Sequence, residues 1–375
     1  MRVQRGLIGV YFDRSSVSSI DGRAGELRYR GYDIHELAEA STFEEICYLL
    51  IDGELPGRAE LAALASELAA SRAIPAEVSE LVATLRDAHP MEVLRTALSA
   101  LGALDPDAGD TAPAALRRKG VRLTAQLPTV VATHHRLRRG EPPLAPSPTL
   151  GHAANFLYMM QGREPSAAAA RLMDVDFILH AEHGANASSF AARVVAGTGA
   201  NLYAALTAAL GALSGPAHGG AAEDVMRMAR EIGTADAAAA YVRRKREQGE
   251  PIVGFGHRVY RTEDPRARHL RERAAALARE RGEPQWFEIL AALVAAMQPY
   301  ARLGVNVNVD FYAGMIYHLQ GIPPEFFVPL FALGRVPGWV TQVREQLANN
   351  ILIRPLTLYD GPAPRRYVPL SERAG

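Results

Sequence analysis

Residues 41–51 read Ser-Thr-Phe-Glu-Glu-Ile-Cys-Tyr-Leu-Leu-Ile. A hydroxyl side chain followed three positions on by glutamate, ahead of an apolar run, marks a helix start. The hydroxyl accepts from a free backbone N–H, and the carboxylate reaches back to the capping residue's own N–H. Here the pattern is doubled, Ser41 with Glu44 and Thr42 with Glu45. Working outward, helical patterns rich in alanine, leucine, arginine and glutamate run through 57–73, 76–88, 91–104, 114–139, 148–160, 166–182, 186–196 and 202–213. They resume in 221–232, 235–248, 266–282, 285–300, 310–319, 324–332 and 335–348, with Pro, Gly or Asp at nearly every junction. Strand signals are confined to Val17–Ile20, a turn at Asp21-Gly22 and Glu26–Arg30, which predict a hairpin. The lack of strand–helix alternation argues against a doubly wound sheet. The expected fold is all-α, with at most a small N-terminal β-hairpin.

The 41 Lys+Arg balance 41 Asp+Glu, while 48% of residues are apolar and 22% charged. This composition suits a folded globular protein and argues against disorder or a disulfide scaffold. Zero net charge argues against a nucleic-acid binder and against electrostatic anchoring to a membrane. A chain of 375 residues is long enough for a large core divided between two domains. The single cysteine, Cys47, cannot form an intramolecular disulfide, which fits a reducing, cytoplasmic setting. The apolar run Gly6–Phe12 lacks the cleavage pattern of a signal peptide. The uncharged stretch from Val194 to Ala217 holds a compact apolar piece, Leu202–Leu213, too short for the ~20 residues of a membrane span.

Chemistry is expected where Gly and His concentrate in loops. In Gly215-Pro216-Ala217-His218-Gly219-Gly220, a histidine sits among small residues ahead of a helix starting near Ala221. A helix N-terminus favours the neutral imidazole, which can donate a hydrogen bond to a developing oxyanion. The stretch Gly254-Phe255-Gly256-His257 is half of a dinucleotide fingerprint and lacks the surrounding strand–helix unit. More informative is His257 with Arg258, Arg261 and Arg266, a cluster suited to a polyanion. Asp310, between Val309 and Phe311-Tyr312, is either a helix N-cap or a carboxylate made more basic by apolar surroundings. His180 and His183 are spaced to share a helix face, as in metal sites, but no third ligand is evident nearby; polar core or substrate contacts are the other readings.

Taken together, these segments resemble the citrate synthase family. The similarity begins with GLIGVYFDRSSVSSIDGRAGELRYRGYDIHELAEASTFEEICYLL and continues through HPMEVLRTALSALG and LHAEHGANASSF. It then takes in GPAHGG, GFGHRVYRTEDPRA, NVDFYAG, LGRVPGW and LIRP, in the family's order and spacing. The resemblance implies condensation of oxaloacetate with acetyl-CoA, followed by hydrolysis of citryl-CoA. It makes His218 the stabiliser of the thioester enolate, Asp310 the base and His257 the donor to the oxaloacetate ketone. His183 would bind oxaloacetate, with Asn186 supporting that turn. Arg266 and Arg335 would clamp its carboxylates, joined by Arg354 of a second subunit. Arg261 and the backbone of Ile252, Val253, Gly254, Phe255 and Gly256 would meet CoA. The implied architecture is a large domain, 1–217 with 319–375, and a small domain, 218–318, closing over the site of a homodimer. No metal or redox cofactor is implied; the CoA thioester is a substrate.

Three positions depart from the family pattern: Ala222 stands for an asparagine, Val307 for a proline and Gln342 for a histidine. The rivals to citrate synthase activity are 2-methylcitrate synthesis from propionyl-CoA, a weakened paralogue, and a metal hydrolase built on His180 and His183.

Overall fold

A computed structural model describes residues 3–219 and 221–373; Gly220 of the glycine-rich motif lies outside the described residues. The fold is helical. In chain order the helices are α1 (Ile34–Ala40), α2 (Phe43–Asp52), α3 (Arg58–Ala70), α4 (Ala76–Thr84), α5 (Pro90–Leu104), α6 (Pro113–Arg138), α7 (His152–Gln161) and α8 (Ala167–His180). There follow α9 (Ala187–Gly197), α10 (Leu202–Leu213), α11 (Ala221–Ile232), α12 (Ala238–Glu247), α13 (Ala267–Glu280), α14 (Pro284–Ala301), α15 (Asp310–Leu319) and α16 (Phe327–Ala348). At the start of α2, Thr42 is the cap and Glu45 closes the capping box, so the second of the two overlapping patterns operates. Ser41 instead ends α1, a short helix that the sequence reading missed although Asp33 caps it by accepting from the His35 N–H.

The hairpin forms as β1 (Ser18–Asp21) and β2 (Glu26–Tyr29), antiparallel, and gains a third short strand, β3 (Tyr32–Asp33). Its turn is longer than the two residues expected: Gly25 N–H donates to the Asp21 carbonyl at 2.9 Å. The hairpin has a positioning role. The buried Tyr29 hydroxyl donates to the Ile178 carbonyl at 3.1 Å and accepts from the Glu182 N–H at 3.3 Å. It thereby ties down the end of α8 and the turn that carries His183.

One predicted break is absent. The sequence suggests two helices meeting near residues 333–334, yet α16 continues through Gly334 and Pro337. A proline inside a helix removes one backbone hydrogen bond, and burial of this helix on α6, α8, α9 and α10 holds the ladder together around it. Gly334 and Gly338 explain that close packing. A side chain on Gly338 would collide with the Ala181 carbonyl and one on Gly334 would crowd the Phe177 backbone, so their bare backbones let α16 lie directly on the end of α8. Arg335 is thereby brought beneath the His180–His183 turn. Among the remaining elements, α11 and α13 pack on α15, and α12 and α13 pack on α14. No helix among the described residues is long and apolar enough to cross a membrane.

Candidate active site

Four segments converge: the end of α8 with its turn, the loop before α11, the loop from 252 to 266, and the start of α15. Helix α8 stops at His180, so His183 lies on the following turn and the two imidazoles do not share a helix face. No cluster of three or more His, Cys, Asp or Glu side chains is arranged to hold a metal among the described residues. His183 is buried, with Nε2 3.0 Å from the Tyr260 hydroxyl and its ring 5.2 Å from that of His257. Desolvation, reinforced by Arg266, holds its pKa well below the ordinary histidine value. Asn186 caps α9, accepting from the Ser189 N–H, and its amide donates to the Gly184 carbonyl at 3.3 Å. Its polar atoms serve the turn.

His218 and His257 are both half-buried, and desolvation lowers each pKa to about 4. Both imidazoles are neutral at pH 7, and their contacts fix where the hydrogen sits. His257 Nδ1 accepts from the Val259 N–H at 3.0 Å and the Tyr260 N–H at 3.1 Å, leaving the hydrogen on Nε2. His218 Nε2 faces the N-terminus of α9, 3.3 Å from the Ser188 backbone nitrogen. A donor there leaves the hydrogen on Nδ1. The helix end expected to act on His218 was that of α11; the one its ring meets is that of α9. The Ser188 hydroxyl bonds Asn186 Oδ1 at 2.7 Å and accepts from Trp339 Nε1 at 3.1 Å, which joins the His218 and His183 segments.

Asp310 is the first residue of α15, after the capping position Val309, and makes no side-chain cap. No hydrogen bond from the described residues reaches its carboxylate. Desolvation raises its pKa, while His180 and Arg266 draw it partly back. The segment before it is stitched to the His257 loop. Phe255 and Val307 form an antiparallel bridge, and Gly256 N–H donates to the Asn306 carbonyl at 2.7 Å. Gly254, at φ +80°, has no room for a side chain beside Phe311. The Gly254 carbonyl and Gly256 N–H are thus spent inside the protein; Ile252 is buried and Val253 and Phe255 half-buried. Arg261 is exposed, its backbone N–H donating to the Gly22 carbonyl of the hairpin turn.

The two buried arginines differ. Arg266 is bidentate on Asp264, at 2.9 and 2.7 Å. Arg335 donates from Nε to the His180 carbonyl and lies over the Phe331 ring, while Nη1 is buried with no hydrogen-bond partner among the described residues. Desolvation pulls its pKa down to about 10. A buried guanidinium group without a carboxylate is expensive to maintain and marks a place for an anion. Arg354 is not brought into this cluster: it is exposed on an extended tail after α16.

A sequence profile described as "Citrate synthase, C-terminal domain" matches residues 6–356. The chain belongs to the citrate synthase family. It is 45% identical over 376 aligned positions to citrate synthase 2 of Bacillus subtilis, covering 100% of both chains. It is 43% identical to a 2-methylcitrate synthase of Mycobacterium tuberculosis, covering 97% of this chain and 92% of that one. Its fold matches the Thermoplasma acidophilum citrate synthase solved in ternary complex with carboxymethyl coenzyme A and oxaloacetate. That match has a TM-score of 0.95 and 30% identity, covering 99% of this chain and 100% of that one.

The three departures from the citrate synthase pattern each have a structural place. Val307 forms the bridge to Phe255. Ala222 is buried, its backbone pressed against Gly314 of α15. Gln342 donates to Glu182 Oε1 at 2.9 Å and accepts from Arg193 at 3.0 Å. Glu182 in turn accepts from the Gly184 N–H at 2.6 Å, so Gln342 supports the His183 turn. Ser188, Trp339, Tyr260 and Asp264 were not singled out from sequence, though all four lie inside the motifs that carry the family resemblance.

Proposed function

We propose that this chain condenses oxaloacetate with acetyl-CoA and water to give citrate and CoA. The observation that carries the reading is the buried Arg335 Nη1, left without a partner beside neutral imidazoles and an unbonded Asp310. Oxaloacetate supplies the missing carboxylate. Arg266, already neutralised by Asp264, adds a weaker second contact, and Arg354 from a second copy of the chain completes the clamp. Asp310 takes a proton from the thioester methyl group, and the C–H electron pair becomes the enolate. His218 donates from Nδ1 to the enolate oxygen, worth roughly 3–4 kcal/mol for one well-placed donor. The methyl carbon attacks the ketone while His257 gives its Nε2 hydrogen to the forming alkoxide; the water that then cleaves the thioester returns a proton to His257 and its hydroxyl to the acyl carbon, and the departing CoA thiolate takes the proton held by Asp310. His183 positions oxaloacetate with Tyr260, and Arg261 meets the nucleotide end of CoA. No metal or redox step is needed.

Closure of 218–318 over the flanking segments would exclude bulk water and strengthen these contacts. The mutual packing of α11 to α15 supports that division. A homodimer is supported by the tail, which has no regular structure from Asn350 to Pro369 yet exposes Ile351, Leu352, Leu356, Leu358 and Tyr359.

A second reading, 2-methylcitrate synthesis from propionyl-CoA, is favoured by the M. tuberculosis relative at 43% identity. One methylene shifts discrimination by only ~1–3 kcal/mol. Comparing kcat/KM for acetyl-CoA and propionyl-CoA with saturating oxaloacetate decides between them. Higher efficiency with acetyl-CoA supports the proposal, and higher efficiency with propionyl-CoA overturns it in favour of the second reading.

A further inference from the structure

The β1–β2 turn lies directly against the loop that carries His257, and two of its glycines mark the contact. A β-carbon on Gly22 would collide with the Val259 carbonyl oxygen and stand 2.8 Å from its carbon; one on Gly25 would stand 2.5 Å from Thr262 Oγ1. Between them the Arg261 N–H donates to the Gly22 carbonyl at 2.7 Å. Position 22 needs glycine for this approach and not for its own backbone. Its φ lies outside the left-handed region, and the three atoms nearest a β-carbon there all belong to Val259.

Both sides of the contact are braced. In the turn, Asp21 Oδ1 accepts from the Arg23 and Ala24 N–H groups at 2.8 and 2.9 Å. In the loop, the Gly256 N–H holds the Asn306 carbonyl, and the Asp264 N–H holds the Val307 carbonyl at 3.0 Å. What joins the turn to His257 is a single peptide unit. The Val259 carbonyl pressed on Gly22 and the Tyr260 N–H, 3.1 Å from His257 Nδ1, belong to the same planar group. That group moves as a rigid body, so a displacement at its oxygen is a displacement at its N–H. The Val259 N–H, one peptide earlier, is the other donor to Nδ1.

We propose that Gly22 is a positioning residue for His257: the hairpin turn seats the Val259–Tyr260 peptide, whose N–H keeps the His257 hydrogen on Nε2. The bare α-carbon at 22 sets where that peptide rests. A methyl group there forces the unit aside by about 1 Å, and a misplacement of that size costs up to about 10²-fold in rate. With Nδ1 no longer held, the ring loses both its orientation and the preference for hydrogen on Nε2, the atom that serves the ketone. This inference rests on the assignment of His257 as the ketone donor.

The test is steady-state kinetics of full-length Gly22→Ala with acetyl-CoA and oxaloacetate, beside thermal melts, with Gly31→Ala for comparison. Gly31, between β2 and β3, has φ +92° and no described atom within 4 Å of a β-carbon. Gly31→Ala strains the hairpin without reaching the loop, so it should lower the melting temperature and leave kcat within about twofold of wild type. Gly22→Ala should do the reverse. Its kcat is expected to fall about 10- to 100-fold with an oxaloacetate KM within about threefold of wild type, and it should melt above Gly31→Ala. Added to His257→Ala, Gly22→Ala should cost less than about twofold more, because both act on one group. An unchanged kcat in Gly22→Ala, an equal fall in Gly31→Ala, melting below Gly31→Ala, or losses that multiply in the double variant overturn the proposal. His257→Ala alone separates the two claims. If it keeps wild-type activity, the donor assignment falls and takes this inference with it. If it is nearly inactive while Gly22→Ala is normal, only the inference falls.

Discussion

The ring Nε2 of His218 stands 2.9 Å from the Ser188 hydroxyl and 3.3 Å from the Ser188 backbone nitrogen. Helix α9 therefore orients the group assigned to the enolate. Ser188→Ala removes the hydroxyl link to His218, Asn186 and Trp339 but keeps the backbone donor. We expect kcat to fall about 10-fold, one hydrogen bond's worth, with oxaloacetate affinity unchanged. His218→Ala should cost at least ~10²-fold, as loss of an oxyanion donor does. Steady-state kinetics on the two variants checks this ranking, and an equal loss in both would count against it.

Arg335 and Arg266 should separate by stability. Arg266→Met leaves Asp264 buried and unpaired, which costs about 3–5 kcal/mol and should lower the melting temperature sharply. Arg335→Met removes a cation that has no carboxylate partner within ion-pair distance among the described residues. It should leave melting nearly unchanged while weakening oxaloacetate binding roughly 10- to 100-fold, as expected for a lost charge-assisted hydrogen bond. Calorimetric titration with oxaloacetate and thermal melts of both variants distinguish the two roles; CoA affinity should change little in Arg335→Met.

Arg354 provides the test of shared sites. Arg354→Ala and His257→Ala homodimers are each expected to be nearly inactive. If Arg354 acts across the dimer, a heterodimer of the two variants has one site with both lesions and one with neither. Activity should then return toward half of wild type per heterodimer. Verified heterodimers without recovered activity would show that Arg354 serves its own subunit.

Acid should destabilise the fold in a defined window. His135 and His257 titrate at about 4 and His152 at about 3, against 6.5 when unfolded, because burial disfavours their charged forms. Below pH 6.5 the unfolded chain binds more protons than the native one, so stability rises with pH there. The contribution is complete above about 6.5 and is lost as pH falls toward 4. Denaturant melts across pH 4–8 should show this slope. His152→Phe, packed against Phe43 and Phe177, should make it shallower; a slope identical to wild type would contradict the attribution.

Most helices were legible because caps and periodicity act locally: Thr42 with Glu45 starts α2 wherever it lies in the fold. Helix α1 was missed because seven residues give periodicity little length to declare itself. The unbroken α16 was missed because its continuity depends on partners distant in sequence, the backbone around Phe177 and Ala181, against which Gly334 and Gly338 pack closely. In the site, His218, His257 and Asp310 stood out through glycine-rich or apolar context. Ser188 and Tyr260 did not, because a serine in a helix start and a tyrosine in a loop look ordinary until folding sets them against His218 and His183.

The central claim, that Asp310 starts an oxaloacetate-dependent condensation, is tested most directly by following CoA thiol release from acetyl-CoA, with and without oxaloacetate, in wild type and Asp310→Asn. The account predicts release that requires oxaloacetate, is matched mole for mole by citrate, and falls at least ~10²-fold in the variant while oxaloacetate still binds. Release independent of oxaloacetate, or a variant turning over at the wild-type rate, would contradict it.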